Sequence, residues 1–222
     1  MNRPLKAATL ALLACCAGLA VAGCAGSTPP AAGNPTTTTA TIGTPTVVDL
    51  PATAQEKWKA VGSPIQRAVA GHDIGENECA SIDGASGWVQ QGYAAGTGPD
   101  AAIRDTFTFA DAAAAQSALR TVASAMASCQ QTSRAGQTAG KITPDATVTQ
   151  TAALAQAGAW RRSWTGVRGL SAYGPQINHY YAAAGGNELI FVQFTEFPGA
   201  AAPYDTAADP QVLATLDRAV DQ

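Results

Sequence analysis

Trp160, Arg162 and Trp164 alternate within one short segment. On a strand, successive side chains point to opposite faces, so these three share one face while Arg161 and Ser163 take the other. A guanidinium between two indoles invites cation–π stacking and can recognise an anion or a flat ligand. Tyr180, on a neighbouring strand, would join the same surface. Such a ladder can also stabilise a sheet by cross-strand packing without binding anything. The two readings part on orientation: if the face looks away from the helices it is partly open, and an open Trp pair suggests a site.

Other residues carry weaker chemistry. The chain has 2 His, His72 and His179, which leaves little material for a catalytic metal cage. A Ser-His-Asp triad would have to use one of them, and no Gly-x-Ser-x-Gly elbow is present: Gly169-Leu170-Ser171-Ala172-Tyr173 breaks that pattern. Glu76 and Glu78 flank Asn77 and point alike on extended backbone. A carboxylate pair at the right separation can cleave glycosidic bonds, and with Asp73 the two could hold a hard cation such as Ca²⁺. The spacing does not match an EF-hand loop, and a solvated acidic loop explains it as well. Gly96-Thr97-Gly98-x-x-Ala101 loosely matches a dinucleotide fingerprint, which needs a helix directly after it. An alternating strand follows instead, so the glycines read as a hairpin turn. No metal or cofactor is implied.

The 222 residues carry 13 Lys+Arg against 16 Asp+Glu, a net charge of -3, with 46% hydrophobic and 13% charged residues. A nucleic-acid binder would show a clustered basic excess. A wholly disordered chain would lack this apolar content.

The N-terminus is an address. Arg3 and Lys6 form a positive region, and Ala7 to Ala20 is an uncharged apolar run, shorter than a membrane span of ~20 residues. It ends in Val21-Ala22-Gly23-Cys24, small residues before a Cys, as in a bacterial lipobox. That pattern implies a signal peptide over 1–23, diacylglycerol transfer to Cys24 and cleavage before it. Several acyl chains on one Cys give a lasting anchor where one holds weakly. Residues 24–52 are the lipidated Cys and a Thr/Pro-rich tether, with Pro29, Pro30, Pro35, Pro45, Pro51 and the run Thr36–Thr39. As a flexible coil the tether spans ~30 Å. Its composition permits O-glycosylation; the plainer role is a spacer.

Cys15 and Cys16 leave with the signal peptide and Cys24 is capped by lipid. Cys79 and Cys129 remain, an even pair in an oxidising compartment, and read as one disulfide. Closing so long a loop would stabilise the fold by ~4 kcal/mol.

The elements follow from periodicity. Thr53-x-x-Glu56 is a capping box, and Trp58, Val61, Ile65 and Ala68 at helical spacing predict a helix, restarted at Ser63-Pro64 and ended by Gly71. Trp88 to Ala95 and Ile103 to Phe109 form a hairpin. Asp111 caps a helix from Ala112 to Cys129, with Leu119, Val122, Met126 and Cys129 in one stripe. A polar loop is predicted over 130–145, then strands over 146–154, 159–165, 177–183 and 188–197. Asp209-Pro210 opens a last helix with Val212, Leu213, Leu216, Ala219 and Val220 buried. The fold class is α+β: a single domain over 53–222, with a twisted antiparallel sheet of about six strands and helices mainly on one face.

The lipobox, the tether and the two-Cys domain together resemble actinobacterial lipoproteins with a PknH-like extracellular sensor domain. The resemblance covers about residues 53–222 and rests on Cys79 after the first helix, Asp105-Thr106-Phe107-Thr108-Phe109, the Ala-rich helix closing at Cys129, and Asn187-Glu188-Leu189-Ile190-Phe191-Val192. It implies a twisted antiparallel sheet with helices on one side, a cleft for an extracellular ligand and no catalytic residues. The second disulfide common in that family has no counterpart, because no Cys follows Cys129.

The sequence thus predicts a non-catalytic, ligand-binding or sensor-like lipoprotein on the extracytoplasmic face of the cell membrane. Its partners would be the membrane, through lipid on Cys24, and a small molecule, wall fragment or envelope protein. The rival readings are an enzyme acting on envelope glycan or lipid through Glu76, Glu78 or His179, and a structural adaptor for an envelope protein. Labelled palmitate should join the protein and be lost in Cys24→Ala, which should leave the membrane fraction; a variant that stays membrane-bound contradicts the anchor.

Overall fold

The computed structural model describes residues 50, 57–69, 73–96, 98–198 and 203–220. The signal segment, the tether apart from Leu50, the Thr53–Glu56 capping box, Gly71 and His72 lie outside them.

Alternating segments pair as expected. A seven-stranded sheet runs in the order β1-β4-β5-β9-β8-β7-β6, and every neighbouring pair is antiparallel. The strands are β1 (Lys59–Gln66), β4 (Gly87–Ala94), β5 (Ala101–Thr108), β6 (Thr147–Leu154), β7 (Ala157–Gly166), β8 (Gly174–Gly185) and β9 (Glu188–Glu196). Two short strands that the sequence did not suggest, β2 (Ile74–Gly75) and β3 (Ser81–Ile82), form their own antiparallel pair. Gly96 and Gly98 lie in the connection between β4 and β5, closed by Ala95 N–H donating to the Asp100 carbonyl at 3.1 Å.

Three expectations need correction. First, the helix predicted over Trp58–Ala68 is instead the edge strand β1. Trp58 is buried and meets Phe194 edge-on at 5.1 Å, but Val61 and Ile65 are exposed, so no apolar helical stripe is covered. The register shifts between Val61 and Ile65, where Gly62 takes φ +70° and Pro64 offers no N–H, a position that a sheet edge tolerates.

Second, α1 spans Ala112–Ala139, ten residues beyond Cys129. Asp111 caps it, accepting from the Ala114 N–H at 2.8 Å. Its buried stripe continues past Cys129 through Ser133 and Gln137. These polar side chains sit on the core side because they are bonded there: Gln137 donates to the Thr165 carbonyl at 2.9 Å and accepts from the Asp145 N–H at 3.0 Å.

Third, the helices are not on one face. Leu119, Val122, Met126 and Cys129 of α1 pack with Phe107, Trp160, Tyr180, Ala182, Leu189 and Phe191. Helix α2 (Asp209–Val220) packs Leu213, Leu216 and Val220 against Tyr181, Ala183, Ile190, Val192 and Phe194. Odd and even residues of β8 therefore face different helices, which leaves the central strands apolar on both sides. A 3₁₀ turn over Thr206–Ala208, capped by Asp205, precedes α2. Asp209 is the first residue of α2, not its cap, and is buried. Its carboxylate accepts from the hydroxyls of Tyr181 (2.7 Å), Tyr204 (2.9 Å) and Thr151. Among the described residues, no helix is long and apolar enough to cross a membrane.

The predicted Cys79–Cys129 disulfide is present, with a Cα–Cα distance of 5.2 Å. It ties the loop over 76–80 to α1. Gly158 allows the Trp160 ring to lie back along β7, since a Cβ there would stand 2.5 Å from the ring. Gly158→Ala should therefore cost about 1–3 kcal/mol and lower Tm in a thermal melt; an unchanged Tm contradicts this packing.

Candidate functional site

Strand β7 places Trp160, Arg162 and Trp164 on one face, opposite Tyr180, Asn178 and Gln176 of β8. That face is the one α1 covers. Trp160, Arg162 and Trp164 are 4%, 2% and 3% exposed, and Tyr180 is fully buried, so the ladder is not an open surface. Trp160 belongs to the core under α1.

Arg162 joins four parts of the fold. Its guanidinium lies 3.8 Å from the Trp164 ring centroid and 5.4 Å from that of Tyr180. Nε and Nη2 both donate to Asn178 Oδ1, at 3.2 and 2.9 Å. Nη1 donates to Ser133 Oγ of α1 at 3.1 Å and is paired with the Glu78 carboxylate. Nη2 also donates to the Tyr180 hydroxyl. Burial pulls the guanidinium below its ordinary pKa, against the opposing effect of Tyr180. Burial likewise pushes Tyr180 up to about 12, with Arg162 opposing. A guanidinium so fully engaged is unsuited to take up an external anion. Its effect is to fix Trp164, whose Nε1 also donates to Asn178 Oδ1 at 2.9 Å.

Trp164 is one wall of a cleft of about 440 Å³ at the end of the sheet. Pro175, Ile177, Phe197, Pro198 and Pro203 supply apolar surface; Ser163, Thr165, Gln176, Asp145 and Glu196 supply polar groups. Size and lining fit a small-molecule site. Among the described residues no basic side chain lines it, and both carboxyls are held below their ordinary range. For Asp145, burial raises the pKa but the Thr165 hydroxyl and N–H and the Gln137 amide outweigh it. For Glu196, burial is outweighed by His179, the Tyr204 N–H and the nearby Arg161 charge. The cleft therefore offers an anionic, acceptor-bearing rim around an apolar floor. Sequence reasoning named Trp164 but missed the prolines and Phe197, which converge only when the ends of β7, β8 and β9 meet.

A smaller cavity of about 210 Å³ lies over the face that carries Arg162. The loops at Glu76–Glu78 and Leu170–Ala172 border it, with Asn178, Tyr180, Gln193 and Thr195 from the sheet. Arg162 and Tyr180 are the predicted site residues that reach it. Glu76 and Glu78 do not act as a pair: Glu78 is bound to Arg162 and accepts from Ser133 Oγ at 3.0 Å, whereas Glu76 shares a hydrogen bond with Asp105.

His179 meets a carboxylate, as an enzyme reading would require. Its Nε2 lies 2.8 Å from Glu196 Oε2. The ring is fully buried, stacked on Phe194 at 5.2 Å and edge-on to Tyr204 at 5.0 Å. An imidazole enclosed in this way cannot reach a substrate in the cleft, although its carboxylate partner lines it.

The Glu76 carboxyl is held well above its ordinary value of 4.5, first by burial and then by the charge and hydrogen bond of Asp105. Burial also raises Asp105, against bonds from Trp88 Nε1 (2.6 Å) and Gln90 Nε2 (3.0 Å). A carboxyl with a raised native pKa binds more protons folded than unfolded. Its stabilisation is full below pH 4.5 and is lost as pH rises through the native value. Chemical denaturation across this range should show stability falling with pH in the wild type and a shallower fall in Glu76→Gln; equal slopes contradict the shared proton.

No protein-family model matches the chain, and no curated protein matches it. Among solved structures, it is similar to the extracellular domain of PknH from Mycobacterium tuberculosis, with a TM-score of 0.47 and 13% identity over 73% of this chain and 84% of that one.

Proposed function

We propose that the protein is a lipid-anchored, extracytoplasmic, ligand-binding or sensor-like protein whose domain captures its ligand without transforming it. Residues Val21-Ala22-Gly23-Cys24 support the anchor. The Cys79–Cys129 disulfide suits an oxidising compartment outside the cytoplasm. The observation that carries the binding role is the cleft of about 440 Å³ behind Trp164.

The chemistry of the lining defines what fits. Prolyl, phenyl and isoleucyl surface takes an apolar body; Asp145 and Glu196 at the rim favour hydrogen-bond donors or positive charge on it. The ligand is thus a small amphipathic molecule or envelope fragment with a donor or cationic end. The tether over 24–52 holds the domain off the bilayer, where such fragments or an envelope protein can reach it. The enzyme reading loses its base, because His179 is enclosed.

Titrating the full chain with benzylamine should perturb the backbone amide signals of Ile177 and Phe197, and benzoate should not. Ser163→Trp fills the cleft and should remove the response while leaving thermal unfolding unchanged. An equal response to benzoate, or no response at these residues, contradicts the reading.

A further inference from the structure

We propose that the smaller cavity beside Arg162 is a second binding site, specific for an uncharged ligand rich in hydrogen-bond acceptors and no larger than one sugar ring. This goes beyond the cleft reading and does not depend on it.

Size sets the first limit. The cavity holds about 210 Å³, roughly the liquid volume of seven waters at ~30 Å³ each. That accommodates one small ring or a short polyol.

Hydrogen-bond capacity sets the second. Three of the amide acceptors that line the cavity are already engaged. Asn178 Oδ1 accepts from Arg162 Nε, Arg162 Nη2 and Trp164 Nε1. Gln176 Oε1 accepts from Asn178 Nδ2. Asn77 Oδ1 accepts from the N–H groups of Cys79 and Ala80, each at 2.8 Å. The hydroxyls are different. Tyr180 accepts from Arg162 through its oxygen, and Thr195 Oγ1 accepts from Asn178 Nδ2 at 2.9 Å. Each keeps its own proton to donate. Gln193, half-buried on the same face, adds an amide. The cavity thus presents mainly donors, and a ligand there must accept.

Charge sets the third. Arg162 is neutralised by Glu78. Glu76 faces Asp105, and burial together with that neighbour holds its carboxyl well above its ordinary value. An anionic ligand would meet Glu76, Glu78 and, behind Glu76, Asp105. A cationic ligand would meet Arg162 and the hydroxyl protons. Burying either charge without a counter-charge is costly. Ring hydroxyls, a ring ether or an amide carbonyl satisfy the donors without that cost. The two sites are chemically opposite: the cleft supplies acceptors to a donor, and the cavity supplies donors to an acceptor.

The test uses one ring in three charge states on the full chain. D-glucose should shift the Gln193 side-chain amide and Thr195 methyl signals saturably in NMR. Glucuronate and glucosamine should bind at least about tenfold more weakly, a difference of about 1.4 kcal/mol. Gln193→Leu leaves the Arg162–Asn178 bonds intact and should weaken glucose about fivefold; Thr195→Val should act in the same direction. No saturable shift with glucose, equal binding of either charged ring, or unchanged affinity in both variants overturns the proposal. The cleft reading is separate: Gln176 and Phe197 border both spaces, but Ile177, where benzylamine is read, lines the cleft alone, and Gln193 and Thr195 line the cavity alone.

Discussion

The fold turns on one buried cation. Arg162 lies inside the protein, where an isolated guanidinium would be intolerable, so the surrounding chain has to supply its partners. Asn178 comes from β8, Ser133 from α1 and Glu78 from the loop that the Cys79–Cys129 disulfide ties to α1. Meeting the needs of one side chain therefore fixes the C-terminal half of α1, the register of β7 on β8 and the position of the 76–80 loop. Removing only one partner of such a pair leaves an uncompensated charge, typically at a cost of about 3–5 kcal/mol. The Trp164 ring, packed on the guanidinium, becomes a rigid wall instead of a mobile surface ring.

Both candidate sites are consequences of that arrangement. Holding Trp164 and Gln176 in place leaves the cleft at the end of the sheet, where Pro175 at the start of β8 and Pro198 and Pro203 beyond β9 line it. Holding Glu78 over Arg162 keeps the 76–78 loop above the polar part of β8 and β9, which leaves the small cavity between them. On the opposite face the same logic recurs with a carboxylate. Asp209, at the start of α2, is satisfied by three hydroxyls from β6, β8 and the segment before the helix. The sheet is thus pinned by a buried cation on one side and a buried anion on the other.

Much of this was legible in the sequence. β-prone and alternating runs located β4 to β9 closely, Asp111 marked the start of α1, and elimination among five cysteines left the pair that bonds. The failures have physical causes. Ser133 and Gln137 look like solvent-facing residues, so α1 seemed to stop at Cys129; they are core-facing because Arg162, Glu78, Asp145 and Thr165 satisfy them. Trp58, Val61 and Ile65 have a spacing compatible with a helix, yet Gly62 and Pro64 between them suit an irregular edge strand. Helices on both faces were hidden because β8 and β9 are apolar at odd and even positions alike, which says that both faces are covered but not by what. Arg162 stays between two readings in the sequence, a packing ladder and a ligand contact, since charged side chains are seldom fully buried. Its partners lie 16, 29 and 84 positions away in the chain, a pairing that no local pattern encodes.

The claim that the structure depends on the buried Arg162–Glu78 pair is tested most directly by a double-mutant cycle. Unfolding free energies would be measured for the wild type, Arg162→Met, Glu78→Gln and the double variant. The account predicts a loss of about 3–5 kcal/mol for Arg162→Met, with a double variant that is clearly less destabilised than the two single losses added together, because the second change removes the charge left stranded by the first. Two small and additive losses would contradict it, and would mean that the guanidinium occupies the core without organising it.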